Sequence, residues 1–66
     1  VLLTVNGRER QVDDGMTLVE LVESLGLRVG SVVVEHNGTA LLRSEVAAAQ
    51  LADGDRLELV RAVAGG

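Results

Sequence analysis

The sequence predicts an α+β fold: a sheet of four to five strands with one main helix packed across it. Two Asn-Gly dipeptides, Asn6-Gly7 and Asn37-Gly38, each follow a stretch rich in β-branched residues, and this pair favours hairpin turns because both residues tolerate positive φ. Between them, Leu18, Leu21, Val22 and Leu25 recur at i, i+3, i+4 and i+7, the spacing of one apolar helical stripe. A last strand, Leu57 to Val63, follows the turn residues Asp53-Gly54-Asp55. A helix laid on a sheet gives each apolar face a covering layer.

The elements follow in order. Val1, Leu3 and Val5 alternate with Leu2 and Thr4, the period-2 pattern of a strand buried on one face. After Asn6-Gly7 a return strand runs from Arg8 to Val12, and Asp13-Asp14-Gly15 closes the hairpin. The helix start is marked twice: Thr17 and Glu20 have capping-box spacing, and Met16 and Leu21 occupy the positions of a hydrophobic staple. Gly26 suits the left-handed cap at its end. Val32 to His36 forms the next strand, with Val32, Val34 and His36 on one face, and Thr39 to Leu42 returns from it. Ser44 caps a short helical turn over Glu45 to Gln50, and Leu57 and Leu59 point inward from the last strand. The expected core is Leu3, Val5, Val12, Leu18, Leu21, Val22, Leu25, Val32, Val34, Leu57 and Leu59. Residues 1–62 make one domain, and 63–66 a flexible tail.

Composition narrows the function. The 66 residues include no Cys and no aromatic residue, while 47% are hydrophobic, so stability rests on packing of Val, Leu and Ala. A domain of this size buries only about 60% of its unfolded surface, which leaves little to spare. Without Cys there is no disulfide, no cysteine-based zinc site and no cysteine nucleophile, which fits a cytoplasmic setting. The net charge of -4 opposes nucleic-acid binding, which depends on neutralising phosphates. No apolar run approaches the roughly 20 residues that span a bilayer, so no membrane association is expected.

Side-chain chemistry is scarce. The one His, His36, lies near a hairpin turn on an apolar face and reads as structural. The pairs Asp13 with Asp14 and Asp53 with Asp55 could be imagined as catalytic carboxylates, but turn chemistry accounts for both. The glycines form neither a dinucleotide fingerprint nor a P-loop, and the chain has no Lys. What remains is the terminal Gly65-Gly66 pair, directly after the last strand. A four-residue arm from Val63 reaches about 13 Å when extended, and glycine, lacking Cβ, can thread a narrow channel. The working group on this reading is the Gly66 carboxylate, with Gly65 beside it.

Asn6 after the first strand, Gly15-Met16-Thr17-Leu18 at the helix entry, Asn37 after the third strand, Arg43, and Asp53-Gly54-Asp55 followed by an apolar strand and Ala64-Gly65-Gly66 together resemble the ThiS family of sulfur carriers in thiamine thiazole biosynthesis. The resemblance implies a ubiquitin-like β-grasp fold with a mixed sheet. It also implies a protein co-substrate rather than an enzyme. A ThiF-like enzyme using ATP and Mg²⁺ would adenylate the Gly66 carboxylate; a persulfide donor would convert it to a thiocarboxylate; a ThiG-like thiazole synthase would take the sulfur. No cofactor is bound by this chain. Two positions depart from the family pattern: Leu42 stands where Pro often precedes the basic residue, and His36 fills a position usually apolar. Val63, Ala64, Val60, Leu2 and Val33 are the expected partner-binding residues, the last three as apolar residues on the sheet face away from the helix. The small subunit of molybdopterin synthase, whose members tend to be longer and contain aromatics, is the nearest rival, and a sulfur carrier of another pathway is a further alternative. A ubiquitin-like modifier or a TGS-like binding module is the alternative of another class.

Overall fold

The computed structural model describes residues 1–62. Strands β1 (Leu2–Val5) and β2 (Arg8–Gln11) form the first hairpin, and helix α1 (Leu18–Ser24) follows. A single 3-10 turn, Val29–Ser31, leads into β3 (Val32–His36) and β4 (Thr39–Ala40). Helix α2 (Arg43–Ala48) and β5 (Arg56–Arg61) complete the order. The sheet runs β2-β1-β5-β3-β4. Its central pair, β1 and β5, is parallel and the other neighbours are antiparallel, so it is the five-stranded mixed sheet expected.

Local chemistry accounts for the elements. Both Asn-Gly turns place both residues at positive φ, with Asn6 at 50° and Gly7 at 82°, Asn37 at 51° and Gly38 at 87°, which is the type I′ geometry that matches strand twist. The Thr17 hydroxyl accepts from the Glu20 N–H at 3.1 Å while the Glu20 carboxylate accepts from the Thr17 N–H at 2.9 Å, a complete capping box. Strand β2 exposes every residue. Its charged Arg8-Glu9-Arg10 run is held by the hairpin ladder rather than by burial, and charge on an edge strand discourages pairing with another chain.

The core comprises Leu3, Val5, Leu18, Leu21, Val22, Val34, Val46, Leu57 and Leu59. Three expected members, Val12, Leu25 and Val32, are only partly buried and pack against its margin. Each sits at an element boundary: Val12 follows the edge strand β2, Leu25 is the C-cap of α1, and Val32 opens β3. Val46 is a core residue that the sequence reading omitted. The omission follows from the second helix, which begins two residues earlier than expected, with Leu42 rather than Ser44 as its N-cap; the Glu45 carboxylate accepts from the Leu42 N–H at 2.7 Å. The return strand β4 stops at Ala40 rather than Leu42, and β5 is described to Arg61 rather than Val63.

Candidate functional site

Two regions meet on β5, one at each end. At its start, Asp55 turns inward and is 9% exposed. Its Oδ2 accepts from His36 Nε2 at 2.9 Å and from the Ala52 N–H at 2.9 Å, and its Oδ1 accepts from Asn37 Nδ2 at 3.1 Å. Asn37 returns the link, its Oδ1 accepting from the Arg56 N–H at 2.8 Å. Burial pushes the Asp55 carboxyl up, but the hydrogen bonds from His36, Ala52 and Asn37, with the charge on His36, outweigh it and hold the carboxyl below the ordinary aspartate value. Ionised Asp55 only accepts, so His36 Nε2 donates. His36 is therefore a structural partner of Asp55, and no buried side-chain polar atom among the described residues lacks a partner.

Asp53 and Asp55 do different work. Asp53 is the turn residue foreseen, its Oδ1 accepting from the Leu2 N–H at 2.6 Å, with Gly54 beyond it at φ 85°. Asp55 is a buried hub. The signal for it was His36 itself, since a lone imidazole on an apolar face needs a polar partner. Asp13 and Asp14 lie in the exposed turn after β2, and Asp14 faces the amino terminus at 3.4 Å.

Further along β5, Asn6 takes over from β1. Its N–H donates to the Leu57 carbonyl at 2.9 Å; its Oδ1 accepts from the Leu59 N–H at 2.7 Å, and its Nδ2 donates to the Leu59 carbonyl at 3.3 Å. The side-chain amide thus continues the ladder one step past the strand that ends at Val5. Beyond it, β3 still pairs with β5, Val32 facing Arg61, and the Ala62 N–H donates to the Ser31 carbonyl at 2.8 Å. The last described residue is thereby fixed at one end of the sheet. Val63, Ala64, Gly65 and Gly66, four of the expected site residues, lie outside the described residues.

The remaining expected site residues are brought together only in part. Val33 and Val60 are register partners on the open sheet face, 47% and 57% exposed. Leu2 is exposed on the same face, but its carbonyl accepts from the Gly54 N–H. It is level with Gly54, so Val60 lies six residues further along β5, about 20 Å away at strand rise. Val33 and Val60 flank the strand end that leads to Gly66; Leu2 lies at the opposite end. A groove of about 560 Å³ lined by Glu35, Asn37, Gly38, Gly54, Arg56 and Glu58 holds no nucleophile and base pair.

The ThiS family model matches residues 3–66. The chain belongs to the ThiS family. It is 37% identical to the sulfur carrier protein ThiS of Thermus thermophilus over 65 residues, covering 98% of this chain and 100% of that protein. A crystal structure of the thiamine biosynthesis protein ThiS from Geobacter metallireducens matches with a TM-score of 0.81 at 35% identity, covering both chains fully. An NMR structure from the same organism gives 0.77 at 35% identity, covering 100% of this chain and 88% of that one. A thiazole synthase of Paramagnetospirillum magneticum is 38% identical over 64 residues, 97% of this chain but 20% of that protein; the chain spans about a fifth of that relative's length.

As a ThiS protein with the β-grasp architecture of its solved neighbours, the chain is a sulfur carrier of thiamine biosynthesis and not an enzyme. The polar cluster around Asp55 holds β5 to β3. Among the described residues, no helix is long and apolar enough to cross a membrane.

Proposed function

We propose that the carboxylate of Gly66 is the group that carries sulfur. The observation that supports this best is the family match, which runs through Gly66; four residues before it, Ala62 is held to Ser31 beyond the exposed pair Val33 and Val60. A carboxylate is a poor electrophile. A ThiF-like partner, using ATP with Mg²⁺, joins it to AMP as a mixed anhydride and releases pyrophosphate. The terminal sulfur of a donor persulfide attacks the acyl carbon and displaces AMP. A second thiol then reduces the acyl disulfide, leaving the thiocarboxylate on Gly66 and a disulfide on the donor.

The thiocarboxylate sulfur is nucleophilic and passes to a ThiG-like thiazole synthase. That partner is supported by the thiazole synthase relative, a fifth of which resembles this chain. The carrier contributes no catalytic side chain in this scheme; Gly65 and Gly66 thread the partner's channel, Val63 and Ala64 line its entrance, and Val33 with Val60 meet its outer surface. We place the exchange in the cytoplasm, where donor thiols stay reduced. Intact-mass spectrometry tests the reading. After incubation with ATP, a ThiF-type enzyme and a persulfide donor, the chain should gain the mass difference between sulfur and oxygen. No mass change with an enzyme that activates another ThiS carrier would overturn it.

A further inference from the structure

The sheet face carrying Val33 and Val60 is one side of the strand end; the helix side carries a different surface. There, Gly26, Leu27, Arg28, Ser31, Val32, Arg61 and Ala62 enclose a groove of about 300 Å³. Arg28 and Arg61 are its two charged residues. Arg61 sits across from Val32 in the β5 ladder, and Ala62 is the last described residue, so the groove lies at the end of β5. Arg43 adds a third guanidinium close by: its Nη2 is 2.7 Å from the position a Cβ would take on Gly30, the neighbour of Ser31.

These cations are unusual in their setting. The chain carries a net charge of -4 with only six basic residues, and three of the six gather here. The only ion pairs among the described residues are Val1 with Asp14 and His36 with Asp55, so none of the three guanidinia has a carboxylate within pairing distance there. The walls leave room for an incoming group: Gly26, at φ 78°, has open space where its side chain would be, and Ser31 is small. A guanidinium presents a planar fork that matches a carboxylate through two parallel hydrogen bonds.

We infer that Arg28 and Arg61 form a basic groove that receives a carboxylate-bearing lip of the activating enzyme, with Arg43 adding positive charge behind it. The inference rests on the carrier reading, because an enzyme that encloses the arm from Val63 to Gly66 must pass over its base. Such an enzyme grips the base from both faces, apolar contact on Val33 and Val60 and charge on the groove. Charges of this kind set encounter rate and register, and their effect weakens with salt.

The test compares the parent chain, Arg28→Glu/Arg61→Glu, and the milder Arg28→Gln/Arg61→Gln, each verified as folded by circular dichroism. The readout is pyrophosphate exchange by a ThiF-type enzyme at several salt concentrations, with Arg10→Glu on the distant β2 edge as the control for net charge. The double Glu variant should raise KM for the carrier about tenfold or more at low salt, with kcat within about twofold, and the Gln variant should fall between. Salt should raise KM of the parent and leave the Gln variant nearly unchanged, and Arg10→Glu should behave as the parent. An unchanged KM in both double variants, or an equal rise in Arg10→Glu, overturns the groove while leaving the carrier reading intact. If the parent itself gains no sulfur in the mass experiment, the carrier reading fails and the groove falls with it.

Discussion

The two ends of β5 are built on opposite terms. At the start, Asp55, Asn37 and His36 lock the backbone from the β3 side, and Asp53, Gly54 and Thr4 tie it to β1. At the far end, β1 has already stopped, Asn6 supplies one last pair of bonds to Leu59, and only β3 and Ser31 follow the strand to Ala62. Polar groups at the first end are satisfied internally, whereas at the other Val33 and Val60 are exposed and, among the described residues, Arg28 and Arg61 have no carboxylate within pairing distance. On the proposed reading, the difference teaches how a domain without spare core can serve a partner: internal hydrogen bonds are concentrated at the end of β5 remote from Gly66.

Removing Gly66, or adding one residue after it, breaks the comparison most completely. Thiocarboxylate formation should vanish in the mass experiment, while the melting temperature stays that of the parent, because the core lies within the described domain. A fall in melting temperature would mean that the arm contributes to folding.

Asp55→Ala attacks the locked end. It leaves His36, Asn37 and the Ala52 N–H without their acceptor, at a cost of about 2–3 kcal/mol in urea unfolding. The same group carries a pH signature. Its folded pKa is depressed, so its contribution is complete above the unfolded value, about 3.9, and is lost as pH falls through the folded one. Stability of the parent should therefore decline on acidification below about pH 4 in part through Asp55, and Asp55→Asn should flatten that decline.

Val60→Asp attacks the presenting end. On an exposed position it should change stability by less than about 0.5 kcal/mol, yet raise KM for the activating enzyme about tenfold. Leu2→Asp, at the far end of the same face, should leave KM unaltered, which separates a patch around the strand end from general surface hydrophobicity. A last pair of variants tests the junction. Asn6→Ala loses both bonds to Leu59 and places Ala at a left-handed φ, costing about 2 kcal/mol, whereas Asn6→Gly tolerates the φ and costs about 1 kcal/mol. Equal destabilisation by the two would show that backbone strain does not matter there.

Much of this protein was legible in its sequence because the signals are local. The Asn-Gly turns, the Thr17 and Glu20 capping box, Gly26, and the inward residues of β1, β3 and β5 each follow from spacing and conformational preference over a few positions. The family character, too, was readable in the Asp53-Gly54-Asp55 block and the Gly65-Gly66 end. Val46 escaped because α2 has a weak start: Leu42 offers no side-chain acceptor, and Glu45 alone bonds back to its N–H.

Only the tertiary structure decided how distant segments share one place. That Asp55 is a buried hub depends on β3 lying beside β5, which brings His36 and Asn37 to a turn 18 or 19 positions away in the chain. That Leu2 does not join Val33 and Val60 depends on the parallel register of β1 with β5. That Arg28, Arg43 and Arg61 lie near one corner depends on the 3-10 turn after α1, the start of α2 and the end of β5 being brought together there. Local preference fixes which way a residue faces and the register across a tight turn; pairing between segments distant in the chain, as of β5 with β1 and β3, fixes what it faces.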